Sequence, residues 1–330
     1  MAENLDLMRY PLPLLAAAAP ALILAWLAAH AGEFDPLKIE RQADGTTSLV
    51  LEAAAGSVQR LEYSADLQTW QPMISLEMPA AGTVELLDPG ASDKPRRFYR
   101  STPLLDGSLT GDHLGTTAGD VLIHPVEHAS FVMQWDGKTI YNDPVGGGSA
   151  FDGIPMADLI LVGHSHGDHF SSGTLSAIST AATQIIAPQD VFDRLSATLK
   201  ARTTVLANGE STEVLGLNIA AIPAYNSNHP QGRDNGYIVT IGDRRLYMSG
   251  DTGDIAEMRG LENIDIAFVA MNIPYTMSVD QAASAIREFK PSIVYPYHYR
   301  NGDGSFADFG RLQGLIGDDL AIELRLRDWY

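Results

Sequence analysis

The chain has 330 residues, 45% of them hydrophobic, and no long low-complexity stretch, which is enough for one large domain and a small one. Its formal charge is −19, from 22 Lys and Arg against 41 Asp and Glu; such a surface repels phosphate backbones and argues against nucleic acid as a partner. Cysteine is absent, which excludes disulfides, thiolate metal ligands and a cysteine nucleophile.

Residues 12–29 form an apolar run broken only by Pro13 and Pro20, and Ala29-His30-Ala31 follows as a small-x-small pattern. Residues 1–31 therefore read as a signal peptide, and the protein as periplasmic or secreted. Arg9 is the only basic side chain before the run, opposed by Glu3 and Asp6. The run is also long enough for the alternative, an uncleaved membrane anchor, and so for surface or membrane association through the N-terminus. Between 36 and 101, short candidate strands at 37–41, 48–53, 58–64, 73–78, 83–87 and 97–100 alternate with turn signals such as Asp44-Gly45, Ala55-Gly56 and Asp88-Pro89-Gly90. This pattern predicts a small all-β sandwich, with Trp70, Tyr63, Phe98 and Tyr99 as its core. The stretch from Leu61 to Trp70 resembles accessory β modules of secreted bacterial proteins, and it carries no catalytic constellation. Residues 102–118 are polar and Gly-rich and suit a linker, in which His113 reads as a surface residue.

The large domain spans 119–330. Strands are predicted at 121–123, 130–135 and 139–142, with Asp136-Gly137 as a hairpin turn. A hydrophobic run ending at Val162 is followed at once by His164, His166, Asp168 and His169. His164 and His166 are two apart, so an extended backbone projects both imidazoles to one side. Asp168 and His169 come just before a candidate helix at 172–179 and can face a second point. Imidazole and carboxylate hold Zn²⁺ and its borderline neighbours, and one loop offering four such groups suggests two adjacent ions. Further on come a strand at 183–187, a helix at 190–200 and strands at 203–206, 212–214 and 218–222. His229 then sits in a polar loop, and Asp251 ends a strand at 245–248 in Ser249-Gly250-Asp251-Thr252. After a buried strand at 265–270, Ser278 with Gln281 three residues on has the pattern of a helix-starting capping box. A last strand at 292–295 runs into Pro296-Tyr297-His298-Tyr299. No dinucleotide fingerprint, P-loop or Gly-x-Ser-x-Gly elbow is present.

His-x-His-x-Asp-His after an apolar strand, with Asp143 in IYNDPVGG ahead of it and His229, Asp251 and His298 behind it, resembles the ordered five-motif signature of the metallo-β-lactamase superfamily. The HASF stretch at 128–131, AYN…HP and YTMS…YPYHY most resemble the group with L-ascorbate-phosphate lactonase and N-acylphosphatidylethanolamine-hydrolysing phospholipase D. The resemblance implies an α/β fold, the αββα sandwich, here preceded by the small β module. It assigns His164, His166 and His229 to one metal, Asp168, His169 and His298 to a second, and Asp251 to both. Asp143 would buttress the ligand loop from behind. Two divalent cations would share a water and acidify it to hydroxide, which Asp168 would orient, making Asp168 and Asp251 the catalytic carboxylates. Zinc is favoured and manganese is the alternative, since the same N and O ligands accept either. His128 lines the site or packs beside it. Asn272, Tyr275 and Tyr297, with Tyr295 and Tyr299, either bind substrate or pack. The implied function is an exported binuclear hydrolase of a small molecule, with carboxylic ester or lactone first, phosphodiester second and β-lactam third. A non-catalytic metal-binding or adhesive protein is the alternative from another class, against which the pairing of Asp168 with Asp251 argues.

Overall fold

The computed structural model describes residues 37–41, 47–91, 96–317 and 320–330; the predicted signal peptide or anchor lies outside them. No helix among the described residues is long and apolar enough to cross a membrane. The chain divides into two units, one ending at Gly115 and one running from Thr116 to Tyr330.

In the first unit, β1 (Leu37–Arg41), β2 (Thr47–Glu52) and β5 (Thr83–Asp88) make one antiparallel sheet in the order β1-β2-β5. A second antiparallel group runs β7-β4-β3-β6, from β3 (Val58–Ser64), β4 (Gln71–Glu77), β6 (Phe98–Pro103) and β7 (Gly111–Thr116). Leu49, Leu51, Leu61, Met78, Leu86 and Tyr99 from both sheets form the buried core. The predicted aromatic core is thus largely replaced by aliphatic residues. Only Tyr99 is fully buried, donating its hydroxyl to Asp88 Oδ2 at 2.6 Å. Tyr63 packs at its margin, Phe98 is half-buried, and Trp70 is half-buried under the Arg100 guanidinium, 4.3 Å from its ring. The predicted linker also differs, because its second half is β7, which pairs with β4 and buries Asp112 and Leu114 alternately. His113 is bound there to Ser75 Oγ at 2.8 Å.

The second unit contains two mixed sheets of similar plan. In the first, β8 (Gly119–Glu127), β9 (Ser130–Trp135) and β10 (Lys138–Asn142) are antiparallel. β11 (Ala157–Leu161), β12 (Ser179–Ala187) and β13 (Thr203–Val205) then continue from β10 in parallel. In the other, β14 (Ser211–Val214), β15 (Leu217–Ala224), β16 (Asp234–Ile241) and β17 (Arg244–Met248) are antiparallel. β18 (Ile266–Ala270), β19 (Ile293–Tyr297) and β20 (Glu323–Leu324) extend that sheet in parallel. The sheets face each other, with Phe131 of β9 stacked on Phe268 of β18 at 4.2 Å, and the central strands are near-continuous hydrophobic runs because both faces are covered. Among the described residues, six α-helices complete the unit: α1 (Ser172–Ala177), α2 (Gln189–Arg194), α3 (Ala197–Lys200), α4 (Ala256–Arg259), α5 (Val279–Phe289) and α6 (Phe309–Ile316). The single helix predicted at 190–200 is two, because Leu195 is extended and Ser196 starts α3 afresh by accepting from the Leu199 N–H. This is the αββα sandwich with a β module before it. Parallel β10 and β11 in one sheet and β17 to β19 in the other end at the same edge, so their C-terminal loops meet there.

The capping box on α5 forms as read from the sequence: Ser278 Oγ accepts from the Gln281 N–H, and Gln281 Oε1 accepts from the Ser278 N–H. Ser278→Ala should therefore lower unfolding stability by about 1 kcal/mol, read as a small drop in melting temperature, while leaving metal uptake unchanged.

Candidate metal centre

Each side chain of the centre follows a strand end. After β11, Gly163 turns the chain and His164, His166, Asp168 and His169 follow within one tight loop, closed by the Phe170 N–H to His166 O bond at 2.8 Å. Asp143, just past β10, fixes this loop at two points. Its Oδ1 accepts from the Gly163 N–H at 2.7 Å and its Oδ2 from His169 Nδ1 at 2.8 Å. A carboxylate only accepts, so His169 carries its proton on Nδ1 and turns Nε2 inward. From the other sheet, His229 comes from the β15–β16 loop, Asp251 from the turn after β17 and His298 from the end of β19. Gly250 adopts φ +58 there, and its N–H donates to the Tyr297 hydroxyl at 2.9 Å.

The structure brings the seven predicted ligands together in two groups. His164, His166 and His229 place one nitrogen each within 4.8 Å of one another, as do the ligating atoms of Asp168, His169, His298 and His128. Asp251 stands between them. Its Oδ2 is 3.8 Å from His164 Nε2 and 3.6 Å from His229 Nε2, while its Oδ1 is 3.1 Å from His169 Nε2 and 3.3 Å from His298 Nε2. Nε2 of His164, His169 and His298 and Oδ1 of Asp251 are buried without an aligned hydrogen-bond partner. Orphaned lone pairs converging on two points cost folding free energy that a cation at each point would remove. The residues present fit divalent metals.

The electrostatics agree. Burial, with the neighbouring His169, pushes His164 well below the ordinary imidazole range, keeping it neutral with a lone pair to give. Burial would raise the Asp251 carboxyl, but His169 and His298 outweigh it and hold it well below its usual range.

Two supports were not legible in the sequence. Asp234, at the start of β16, accepts from His229 Nδ1 at 2.8 Å, and Arg233 grips the same carboxylate through contacts of 2.8 and 2.7 Å. Burial pushes Asp234 up, yet these bonds from His229 and Arg233 hold it at about 2. Tyr330 bonds His128 Nδ1 at 2.9 Å; nothing local to either residue signals that contact. A cavity of about 470 Å³ opens onto the centre, lined by His166, Asp168, Asn228, His229, Asp251, Asn272, Tyr275 and His298. Asn272 and Tyr275 thus meet the cavity as expected. Tyr297 does not, and neither do Tyr295 and Tyr299: β19, which carries Tyr295 and Tyr297, is covered on both faces, and all three rings are buried in packing. Tyr297 instead supports the Gly250-Asp251 turn.

Cation-free protein should show a distinct pH dependence. Burial lowers the His169 pKa, but the Asp251 and Asp143 carboxylates outweigh it and raise it well above the ordinary value. Protonated His169 then adds stability that is fully present below the unfolded value of about 6.5 and lost as pH rises through the raised folded value. His164, shifted the opposite way, has completed its change by roughly pH 7.5. The melting temperature of chelator-treated protein should therefore fall as pH rises above neutrality, and zinc should flatten that fall by replacing the proton. A melting temperature that holds or rises over this range would show that the shift has the wrong sign.

A profile described as the beta-lactamase superfamily domain matches residues 122–298. A UPF0173 metal-dependent hydrolase of Pyrococcus horikoshii is 32% identical over 208 residues, covering 59% of this chain and 92% of the relative. Among solved structures, one from Parabacteroides distasonis, provisionally named a metal-dependent hydrolase, is 39% identical with a TM-score of 0.59, covering 66% of this chain and 98% of that one. A metallo hydrolase of Ignicoccus hospitalis, 22% identical with a TM-score of 0.55 over 63% of this chain and 95% of its own, shares the fold. The matched domain takes in more than half of the chain and every residue from Asp143 to His298 around the centre, and the chain belongs to the metallo-β-lactamase superfamily.

Proposed function

We propose that this protein is a metal-dependent hydrolase that holds two divalent cations and cleaves a carboxylic ester or lactone in a small molecule. The observation that carries the reading is Asp251, whose two buried oxygens each face a different histidine set. The names of the relatives, metal-dependent hydrolases, support the reaction class. His164, His166 and His229 would hold one cation, Asp168, His169 and His298 the other, and Asp251 would bridge. Bound there, the cations would supply Lewis acidity that polarises a substrate oxygen and acidifies water; zinc suits the N/O set, and manganese is the second choice.

The chain's own groups then divide the work. Asp168 is a half-exposed carboxylate on the cavity wall, placed to orient a water. Thr276 Oγ1 donates to Asn272 Oδ1 at 2.7 Å, which fixes that amide and leaves its N–H groups to donate to a substrate oxygen. Tyr275, half-exposed at the lip, would pack on the organic part. A cavity of about 470 Å³ suits a small molecule. Export through residues 1–31 remains part of the proposal, on the sequence pattern alone.

Protein purified without chelator should carry close to two ions per chain by elemental analysis. Chelation should abolish hydrolysis of a panel of chromogenic esters, lactones, phosphodiesters and a cephalosporin, and zinc or manganese should restore it. Full turnover by metal-free protein would refute the reading. Asp168→Asn should keep the three-histidine site loaded, weaken the second, and lower turnover by roughly 10²–10⁴-fold, with the melting temperature little changed. Wild-type turnover by this variant would make Asp168 a bystander.

A further inference from the structure

We infer that Tyr330 is a positioning residue for the second metal group, acting through His128 on Asp168. The inference rests on the two-cation reading above. Asp168 is the candidate ligand that most needs help. Its side chain is 50% exposed, whereas His169, His298 and Asp251 of the same group are buried. A half-solvated carboxylate keeps its rotamer freedom, and ordering it on a cation costs entropy unless something else has already fixed it. Among the described residues, its one side-chain hydrogen bond is to His128 Nε2, 3.2 Å from Oδ2.

That bond determines the rest of the chain of contacts. The carboxylate is acceptor only, so His128 Nε2 carries the proton and Nδ1 of the neutral ring is left as an acceptor. Tyr330 Oη, 2.9 Å away, donates to it. The two hydrogen bonds fix both the tautomer and the tilt of the imidazole. His128 is further clamped by its backbone, whose N–H donates to Trp329 O at 2.9 Å and whose carbonyl accepts from the His298 N–H at 3.0 Å. Its ring lies 3.6 Å from that of His298. His128 and His298 both hold left-handed backbone, φ +58 and +48, a conformation non-glycine residues adopt at sites the surroundings over-determine. Tyr330 is fixed in turn, with Arg300 4.0 Å over its ring and Phe306 stacked at 5.5 Å. The relay Tyr330–His128–Asp168 thus runs from an aromatic cluster to the exposed ligand of the second group. In this arrangement His128 Nε2 is spent on Asp168 and does not itself bind the cation.

The test is calorimetric titration of Zn²⁺ into metal-free full-length protein, with thermal melting of the same samples. Wild type should take up two ions. Tyr330→Phe should leave the first unchanged and weaken the second about tenfold; His128→Asn, whose side chain tolerates the left-handed backbone, should weaken it by up to about 100-fold. Metal-free melting of Tyr330→Phe should match wild type. Tyr299→Phe serves as the control, since its hydroxyl bonds Trp329 N–H and Arg327 O in the same segment without joining the relay; it should leave both zinc affinities intact. Equal weakening by Tyr299→Phe would mean general packing and would overturn the relay. In an Asp168→Asn background, Tyr330→Phe should add nothing, and a further tenfold loss would mean that His128 binds the ion directly, which also overturns it. Two ions bound by Tyr330→Phe with wild-type affinity defeat the relay alone. Fewer than two bound by wild type defeat the two-cation reading and the relay together.

Discussion

The centre depends on a backbone seam between the two sheets of the second unit. Gly163 O accepts the Asn235 N–H at 3.0 Å, and the Asn235 carbonyl oxygen lies so close that a Cβ on Gly163 or Gly250 would sit 2.8 or 2.9 Å from it. Only glycine permits this approach, and at Gly250 the positive φ demands it as well. Gly163 immediately precedes His164 and Gly250 immediately precedes Asp251. The spacing of one ligand from each sheet is therefore set by a single carbonyl wedged between two glycines. A side chain at either position would force the halves apart where separations of three to four ångströms matter.

Around that seam the fold buries groups that water would otherwise satisfy. Each buried histidine with an outer partner has it from a fixed acceptor: Asp143 for His169, Asp234 for His229. The inner nitrogens of His164, His169 and His298 and Oδ1 of Asp251 are buried with no aligned partner. An unpaired buried polar atom costs on the order of 1–3 kcal/mol, and several meet at this locus, so cations bound there would offset that cost. The same preorganisation makes the arrangement effective once charge is supplied, because the protein's dipoles need not reorient.

How much of this could be read from the chain depended on whether the information was local. His164, His166, Asp168 and His169 share six residues, and a strand before them and a helix after them gave their context. The Ser278–Gln281 cap was equally local. Asp234 was missed although it lies five residues beyond His229, because an acidic residue beside an arginine reads as a surface ion pair until the turn of the loop is known. Tyr330 and His128 are two hundred residues apart, and no pattern links them. For Tyr295, Tyr297 and Tyr299 the sequence leaves substrate binding and packing both open, and the structure decides for packing: alternation assigns one face of a strand to a cavity only if the other is packed, whereas β19, which carries Tyr295 and Tyr297, is packed on both. β7 was hidden by its glycines, and Trp70 looked like core because large aromatics usually are.

Burial is uneven within the centre. His164, His169, His229, Asp251 and His298 are inside, but each metal-competent group has one exposed member, His166 in the first and Asp168 in the second. A polydentate chelate dissociates one arm at a time, and the arms that let go first are those that solvent can reach. Ions would thus be exchanged through His166 and Asp168 at the lip, with the sheets staying closed. Selectivity among cations would then reside in the buried arms, and the speed of loading and loss in the two exposed ones.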